Sequence, residues 1–345
     1  MSIGLKEKEA VNRVIDSKAL SGYRGSWGKW FYGGDEVKAL EKEWADKFKV
    51  KHAIACNSAT SGLWCAMSAI GMQLSFKDRA WETETIVSPY SMTCSASMPL
   101  LFQSKPVFCD IEKDYYCIDA DKLDAKITKR TKAIIAVDLF GMPYDADRIN
   151  AIAAKYGIPV IEDAAQAIGA KYKGKYAGTL GTIGVYSLNV HKHIQCGEGG
   201  IIVTDNDDLA MRVRLAMNHA EAVNNDMKKA QYNLITGMNL RMTELQAAVT
   251  REQLKKLDSI IKKYQELAKN FDIPIRDKCT SAYYKFASLN MPKNPDKKLF
   301  DMKDHYITPL YRLPLFRELG YPQNLCPVCE DVESKIKLAW VKEAV

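Results

Sequence analysis

The chain has 345 residues, 47% of them apolar and 26% charged, with a formal net charge of +7, an ordinary globular composition with length for a large core and a smaller second domain. No apolar run approaches the roughly twenty residues of a membrane span, and the start, Met-Ser-Ile-Gly-Leu-Lys-Glu-Lys-Glu-Ala, lacks the apolar stretch of a signal peptide, so a cytoplasmic protein without membrane attachment is expected. The surplus lysines, such as Lys255, Lys256, Lys262 and Lys263, lie along helix faces, which argues for solvated surface and against nucleic-acid binding.

In chain order, residues 1 to about 20 read as an amphipathic helix with Leu5, Val11, Val14 and Ile15 on one side. A Gly-, Ser-, Trp- and Tyr-rich loop runs from Leu20 to Gly34, and Asp35 caps a helix carrying Val37, Leu40, Trp44 and Phe48 at helical spacing. Then strands and helices alternate: His52–Cys56 strand, Thr60–Ile70 helix stopped by Gly71, Thr85–Ser88 strand, Ser91–Phe102 helix, Pro106–Cys109 strand. Ala120–Lys126 reads as a helix, Ala133–Val137 as a strand, and Asp145–Tyr156 as a helix with Ile149, Ile152, Ala153 and Tyr156 buried. Val160–Glu162 and a hairpin-like pair around Lys192 follow, then a helix over Asn206–Met217. Thr243-Glu-Leu-Gln246 resembles a capping box opening a long helix to about Phe271, with Leu257, Ile260, Ile261, Tyr264 and Ala268 as its core stripe. A short tail with proline and tyrosine begins near Lys278. This alternation predicts an α/β fold with a mostly parallel sheet and helices on both faces.

Nine cysteines are scattered through core-like segments, the pattern of reduced buried thiols. Cys326-Pro-Val-Cys329 has half of a zinc spacing but no second half, and no metal is expected.

In such sheets ligands collect at the carboxyl ends of the strands, where Asn57-Ser58, Ser88-Pro89, Asp138, Asp163 and Ser187 all stand. The stretch that organises them is Ile183-Gly-Val-Tyr-Ser-Leu-Asn-Val-His-Lys-His-Ile-Gln-Cys-Gly-Glu-Gly-Gly200, two β-type runs around a polar loop. Its Lys192 is either an ordinary surface lysine or one that loses charge by desolvation and attacks a carbonyl, while His191 and His193 are either cations that assist or, more simply, packing residues. Asn57-Ser-Ala-Thr-Ser-Gly62 is either an ordinary βα turn or an anion site at a helix N-terminus. Of Glu162 and Asp163, one is expected to face the site and the other the structure. Asp163 is either a partner for a protonated ring nitrogen or an N-cap for a helix from Ala164.

Asn57-Ser-Ala-Thr-Ser, Ile161-Glu-Asp-Ala-Ala-Gln166, Ser187 ahead of Lys192, Gly197-Glu-Gly-Gly200 and Gly237-Met-Asn-Leu-Arg-Met-Thr-Glu244 together resemble the DegT-type sugar aminotransferases, fold-type I pyridoxal-phosphate enzymes. The resemblance covers about residues 5 to 270 well and the remainder loosely. It implies a seven-stranded sheet in a large domain over 1–242, a connecting helix over 243–277 and a small, abbreviated α+β domain over 278–345. It also implies that Lys192 bonds pyridoxal 5'-phosphate and then acts as acid and base, and that Asp163 pairs with the pyridine nitrogen. Gln166 would contact the ring near its 3'-oxygen, and Ala59, Thr60 and Ser187 would hold the phosphate. Asn239 would reach the phosphate of a neighbouring subunit in a homodimer. Glutamate or glutamine would donate the amine, and a nucleotide-linked keto-deoxy sugar of a polysaccharide or glycan pathway would accept it.

Three positions depart from the family pattern: Met92 or Tyr90 where an aromatic ring stacks on the cofactor, Asp138 where many members have histidine, and a tail that stops at Val345 without an obvious final helix. The alternatives are a sugar dehydratase, whose lysine position is typically histidine, a keto-cyclitol aminotransferase, and, from another class, a non-catalytic pyridoxal-phosphate-binding regulatory protein.

Overall fold

Seven short apolar segments form one sheet in the computed structural model of the chain, which describes residues 3–72, 83–291, 299–304 and 306–341. The strands are β1 (His52–Cys56), β2 (Thr83–Val87), β3 (Ser104–Phe108), β4 (Thr131–Val137), β5 (Val160–Asp163), β6 (Ile183–Ser187) and β7 (Gly200–Thr204), in the spatial order β1-β7-β6-β5-β4-β2-β3. Strands β6, β5, β4, β2 and β3 are mutually parallel, and β7 runs antiparallel to both β6 and β1. Nearly every residue of β4 to β7 is buried, as expected of strands covered on both faces. The expected α/β class, sheet and hairpin around Lys192 are therefore present.

The helices are α1 (Leu5–Ser17), α2 (Asp35–Phe48), α3 (Ala59–Ala69), α4 (Cys94–Leu101), α5 (Ala146–Lys155), α6 (Asp207–Met217), α7 (Ala220–Met227) and α8 (Glu244–Ala268). Val37, Leu40, Trp44 and Phe48 of α2 are buried as their spacing predicts; Trp44 stacks on Phe48 at 4.9 Å between ring centroids and meets Tyr186 of β6 edge-on at 5.3 Å. The capping box at Thr243 is formed, with Gln246 N donating to Thr243 Oγ1 and Thr243 N to Gln246 Oε1.

Several expectations fail locally. The expected apolar stripe of α1 is buried only in part: Val14 packs against α8 and Val11 is half-buried, but Leu5 and Ile15 are exposed, and Ala10 and Glu7 are buried in their place. Glu7 tolerates burial because Gly4 N, Gln253 Nε2 and Lys256 Nζ donate to it. Asp35 is the first residue of α2, not its cap; Gly34 precedes it, and Glu244 of α8 accepts from Gly34 N and Glu36 N in the capping role. Tyr156 lies exposed just beyond α5, its hydroxyl donating to Asp124. Ala120–Lys126 is one α turn followed by a 3-10 turn, and α7 was not anticipated.

The tail adds a small antiparallel sheet of β8 (Phe286–Ser288), β9 (Phe300–Lys303) and β10 (Lys337–Val341), ordered β8-β10-β9, with α9 (Pro327–Lys335) between its last two strands in sequence. The end of the tail at Val345 lies outside the described residues. All nine cysteines are free thiols, and burial pushes Cys326 up to about 12. Among the described residues no helix is long and apolar enough to cross a membrane.

Candidate active site

A cavity of about 400 Å³ opens where the parallel strands end, lined by Ser58, Ala59, Thr60, Met92, Asp163, Gln166, Ser187 and Lys192 among others. Such a volume suits a small-molecule ligand. Each of these side chains is placed by a separate local device.

Lys192 sits in the loop from β6 to β7. The loop is closed by backbone bonds from Leu188 N to Gly199 O, Val190 N to Gly197 O and Cys196 N to Leu188 O, and by Asn189 Nδ2 donating to Glu198 Oε1 at 2.9 Å. The lysine is 8% exposed, and its Nζ lies 4.3 Å from the centroid of the Tyr284 ring. Burial lowers its pKa to about 8, helped by the charge of Lys285 and opposed by Asp163 and Cys94. Of the neighbouring histidines, His193 is buried and edge-on to Tyr264 at 4.7 Å, and burial holds it neutral with a pKa near 4. Packing is therefore its role. His191 is exposed at the cavity mouth.

Asp163 ends β5. Its Oδ2 accepts from Ser95 Oγ at 2.9 Å and its Oδ1 from Ala165 N at 3.2 Å. Burial pushes its pKa up, against the opposing pull of Ser95, Ala165 and Lys192. No helix follows, since residues 164–170 form turns, so the N-cap reading is overturned. Glu162, on the opposite face of the strand, accepts from Gly178 N, Leu180 N and Gly181 N at 2.6, 2.7 and 2.9 Å. The division between one carboxylate for the site and one for the structure thus holds.

The turn from β1 to α3 presents the helix N-terminus to the cavity. Ser58 Oγ caps it, accepting from Ser61 N at 3.0 Å, and the amides of Ala59 and Thr60 have no carbonyl within their own helix. Gly200 makes room for this turn: it pairs with Cys56 and with Ser187, and a Cβ there would stand 2.6 Å from the backbone of Ser58. Ser187 closes the same side.

Gln166 is oriented by two bonds, Phe140 N to its Oε1 at 2.9 Å and its Nε2 to Tyr306 Oη at 3.0 Å. Met92 reaches the cavity and is half exposed, whereas Tyr90 is fully buried, edge-on to Phe140 and Tyr306, and does not line it. Only Met92 of these two stacking candidates is in position. Asn239 is exposed outside the cavity of its own chain, its Oδ1 accepting from Arg241 Nε at 2.7 Å. Asn57, Ser88 and Asp138 also stop short of the cavity, because their groups serve the loops behind it: Asn57 N donates to Leu240 O, Ser88 Oγ accepts from Tyr90 N, and Asp138 Oδ1 accepts from Tyr144 N. Sequence reasoning missed Ser95, Tyr284 and Tyr306. A serine at i, i+4 from Ser91 was a visible helical signal for the first; nothing local marked the two tyrosines.

The cavity thus joins a buried lysine of lowered pKa, a buried carboxylate without an ion pair among the described residues, and a helix start whose first amides, Ala59 and Thr60, lie beside a serine. An aldehyde, a cationic ring nitrogen and a phosphate are their complements. The profile of the DegT/DnrJ/EryC1/StrS aminotransferase family matches residues 24–288. The chain belongs to this family. It is a pyridoxal-phosphate-dependent aminotransferase with the α/β fold of that class. It is 32% identical over 342 residues to a pleiotropic regulatory protein of Geobacillus stearothermophilus, covering 94% of this chain and 87% of that one. It is also 37% identical over 244 residues to the UDP-2-acetamido-2-deoxy-3-oxo-D-glucuronate aminotransferase of Pseudomonas aeruginosa, covering 70% of this chain and 64% of that enzyme. The structure of the aminotransferase from Psychrobacter cryohalolentis superposes with a TM-score of 0.83 at 28% identity, over 99% of this chain and 94% of that one.

Proposed function

We propose that the enzyme moves an amino group from glutamate, or glutamine, to a nucleotide-linked keto-deoxy sugar in the making of a surface polysaccharide or other glycan. The reading rests on one observation: Lys192, with its pKa near 8, and Asp163 line the same cavity beside the α3 N-terminus. The activity of the Pseudomonas relative on a UDP-linked 3-oxo sugar supports the acceptor class.

Bound pyridoxal phosphate supplies an aldehyde carbon and an electron-accepting ring. Lys192 Nζ is the attachment point and afterwards the proton carrier, since its neutral form is available near pH 8. Asp163, held by Ser95 and the Ala165 amide, keeps the ring nitrogen protonated. The amides of Ala59 and Thr60 and the hydroxyl of Ser187 would hold the phosphate, and Gln166 would serve the ring's oxygen edge. Met92, which lines the cavity, would offer its thioether to the ring face. Exposed Asn239 completes the phosphate site of the other subunit of a homodimer, located in the cytoplasm. The chain is divided as 1–242 for cofactor binding, 243–277 for the connecting helix and 278–345 for a small domain.

The test is a panel of keto sugars on different nucleotides, with glutamate as donor and 2-oxoglutarate and the amino sugar measured together. Equal formation of both products from a nucleotide-linked member supports the proposal. Loss of a sugar hydroxyl without amine transfer would assign a dehydratase. No turnover, with the cofactor spectrum unmoved by glutamate, would leave only a binding protein.

A further inference from the structure

Behind the cavity, on the far face of the sheet, two carboxyl groups meet with no ion-pair partner among the described residues. Asp138 follows β4 and Glu162 lies in β5; both are 0% exposed, and their side chains are within hydrogen-bonding reach of each other. Glu162 has donors for both oxygens, from the amides of Gly178, Leu180 and Gly181. Asp138 Oδ1 accepts from Tyr144 N at 2.9 Å, but Asp138 Oδ2 is buried without any donor.

Among the described residues, the titratable groups that act on the pair most strongly are acids: Asp163 from β5, Tyr186 from β6, Tyr144 after β4, and Cys117, beyond which lies Arg276. Tyr186 Oη donates to Ala177 O, Tyr144 Oη to Asn150 and Cys117 Sγ to Met142 O, so none of them turns a proton toward Asp138 Oδ2. Two adjacent buried carboxylates with no counter-charge are strongly unfavourable. A single proton between them removes one charge and gives the orphan oxygen a partner.

We infer that Asp138 carries this proton on Oδ2, donates it in a hydrogen bond to ionised Glu162, and thereby acts as a positioning residue for Asp163. The pair carries one negative charge in total, with the proton resident on Asp138. Burial and the charge of Glu162 both raise the affinity of Asp138 for it. The mechanical link is short. Asp138 N also donates to Asp163 O at 3.1 Å, and Glu162 is the residue immediately before Asp163 on a strand whose successive side chains face opposite ways. Fixing Glu162 below the sheet fixes the angle at which Asp163 leaves it above.

The experiment is infrared spectroscopy of the cofactor-free and loaded protein at neutral pH, in H2O and D2O, with Asp138→Asn, Asp163→Asn and Ser95→Ala as comparisons. A carboxylic-acid C=O band is expected that shifts in D2O, disappears in Asp138→Asn and persists in the other two variants. Its absence from the wild type, or its persistence in Asp138→Asn, overturns the assignment. Positioning is read separately. The Asn Nδ2–H can replace the O–H donor, so Asp138→Asn should keep kcat within about threefold, whereas Asp138→Leu should lower kcat by about tenfold or more with KM for glutamate little changed. Wild-type kcat in a folded Asp138→Leu protein overturns the positioning role; if that variant does not fold, an Asp138→Asn enzyme with more than about tenfold lower kcat overturns it instead.

Discussion

Ser95 Oγ donates to Asp163 Oδ2 across 2.9 Å, joining the first turn of α4 to the end of β5. The serine belongs to a hydroxyl chain, with Ser91 Oγ 3.0 Å from its own. Replacing Ser95 by alanine removes one of two donors to a buried carboxylate. A hydrogen bond to a charged group contributes about 1.5–3 kcal/mol, so Ser95→Ala should lower kcat by roughly tenfold or more while the protein still binds cofactor. Absorbance of the loaded enzyme and steady-state rates check both halves.

The lysine gives a pH prediction. Its folded pKa is lowered to about 8 from an ordinary 10.5, so the cofactor-free protein holds a neutral amine above about pH 8 and a protonated one below. The rate of pyridoxal-phosphate capture should rise about tenfold per unit up to pH 8 and then level off. The unfolded chain binds this proton between pH 8 and 10.5 while the folded one does not, so Lys192 makes stability rise with pH across that window. Lys192→Ala should abolish the visible absorbance of the loaded enzyme and its turnover, and a borohydride-trapped peptide map of the wild type should carry the adduct at residue 192.

Gln166 and Tyr306 yield a third expectation. Tyr306→Phe removes the acceptor of Gln166 Nε2 but keeps the ring that packs on Phe140 at 4.9 Å. Stability should fall by about 1 kcal/mol or less, as for one neutral hydrogen bond, while the affinity for cofactor or acceptor changes measurably. Thermal unfolding with and without cofactor separates the two effects.

If Asn239 serves the neighbouring subunit, two inactive variants can complement each other. Mixing Lys192→Ala with Asn239→Ala after partial unfolding would give mixed dimers in which one site has both residues. About a quarter of wild-type activity is expected from an equal mixture, because half of the dimers are mixed and each has one intact site. Mixing that restores nothing would confine Asn239 to its own chain.

A purely structural control is Trp44. It is fully buried against Phe48 and Tyr186, so Trp44→Ala should lower stability by about 3–5 kcal/mol. Denaturant melts measure this, and rates per folded molecule should change far less than in the Ser95 variant.

The sheet was legible because buried parallel strands are continuous apolar runs bounded by helices, as at Ala133–Val137 and Ile201–Val203. The lysine, the aspartate and the βα turn were legible because each sits at a strand end. What stayed hidden depended on tertiary pairing. The burial of Glu7 depends on Gln253 and Lys256, far along the chain, and Asp35 looked like a cap until Glu244 took that role from more than 200 residues away. Asp138 shared the strand-end signature of Asp163 yet points to the other side of the sheet, a distinction no local pattern contained.

Tyr284 and Tyr306 come from the last fifth of the polypeptide, whereas Lys192 and Asp163 are carried by the sheet. On a ribosome the strands and both reactive groups emerge well before the two aromatic rings that wall them in. A chain cut short before Tyr284 would lack both rings, and with that side of the pocket open the Lys192 amine would be more solvated and more basic.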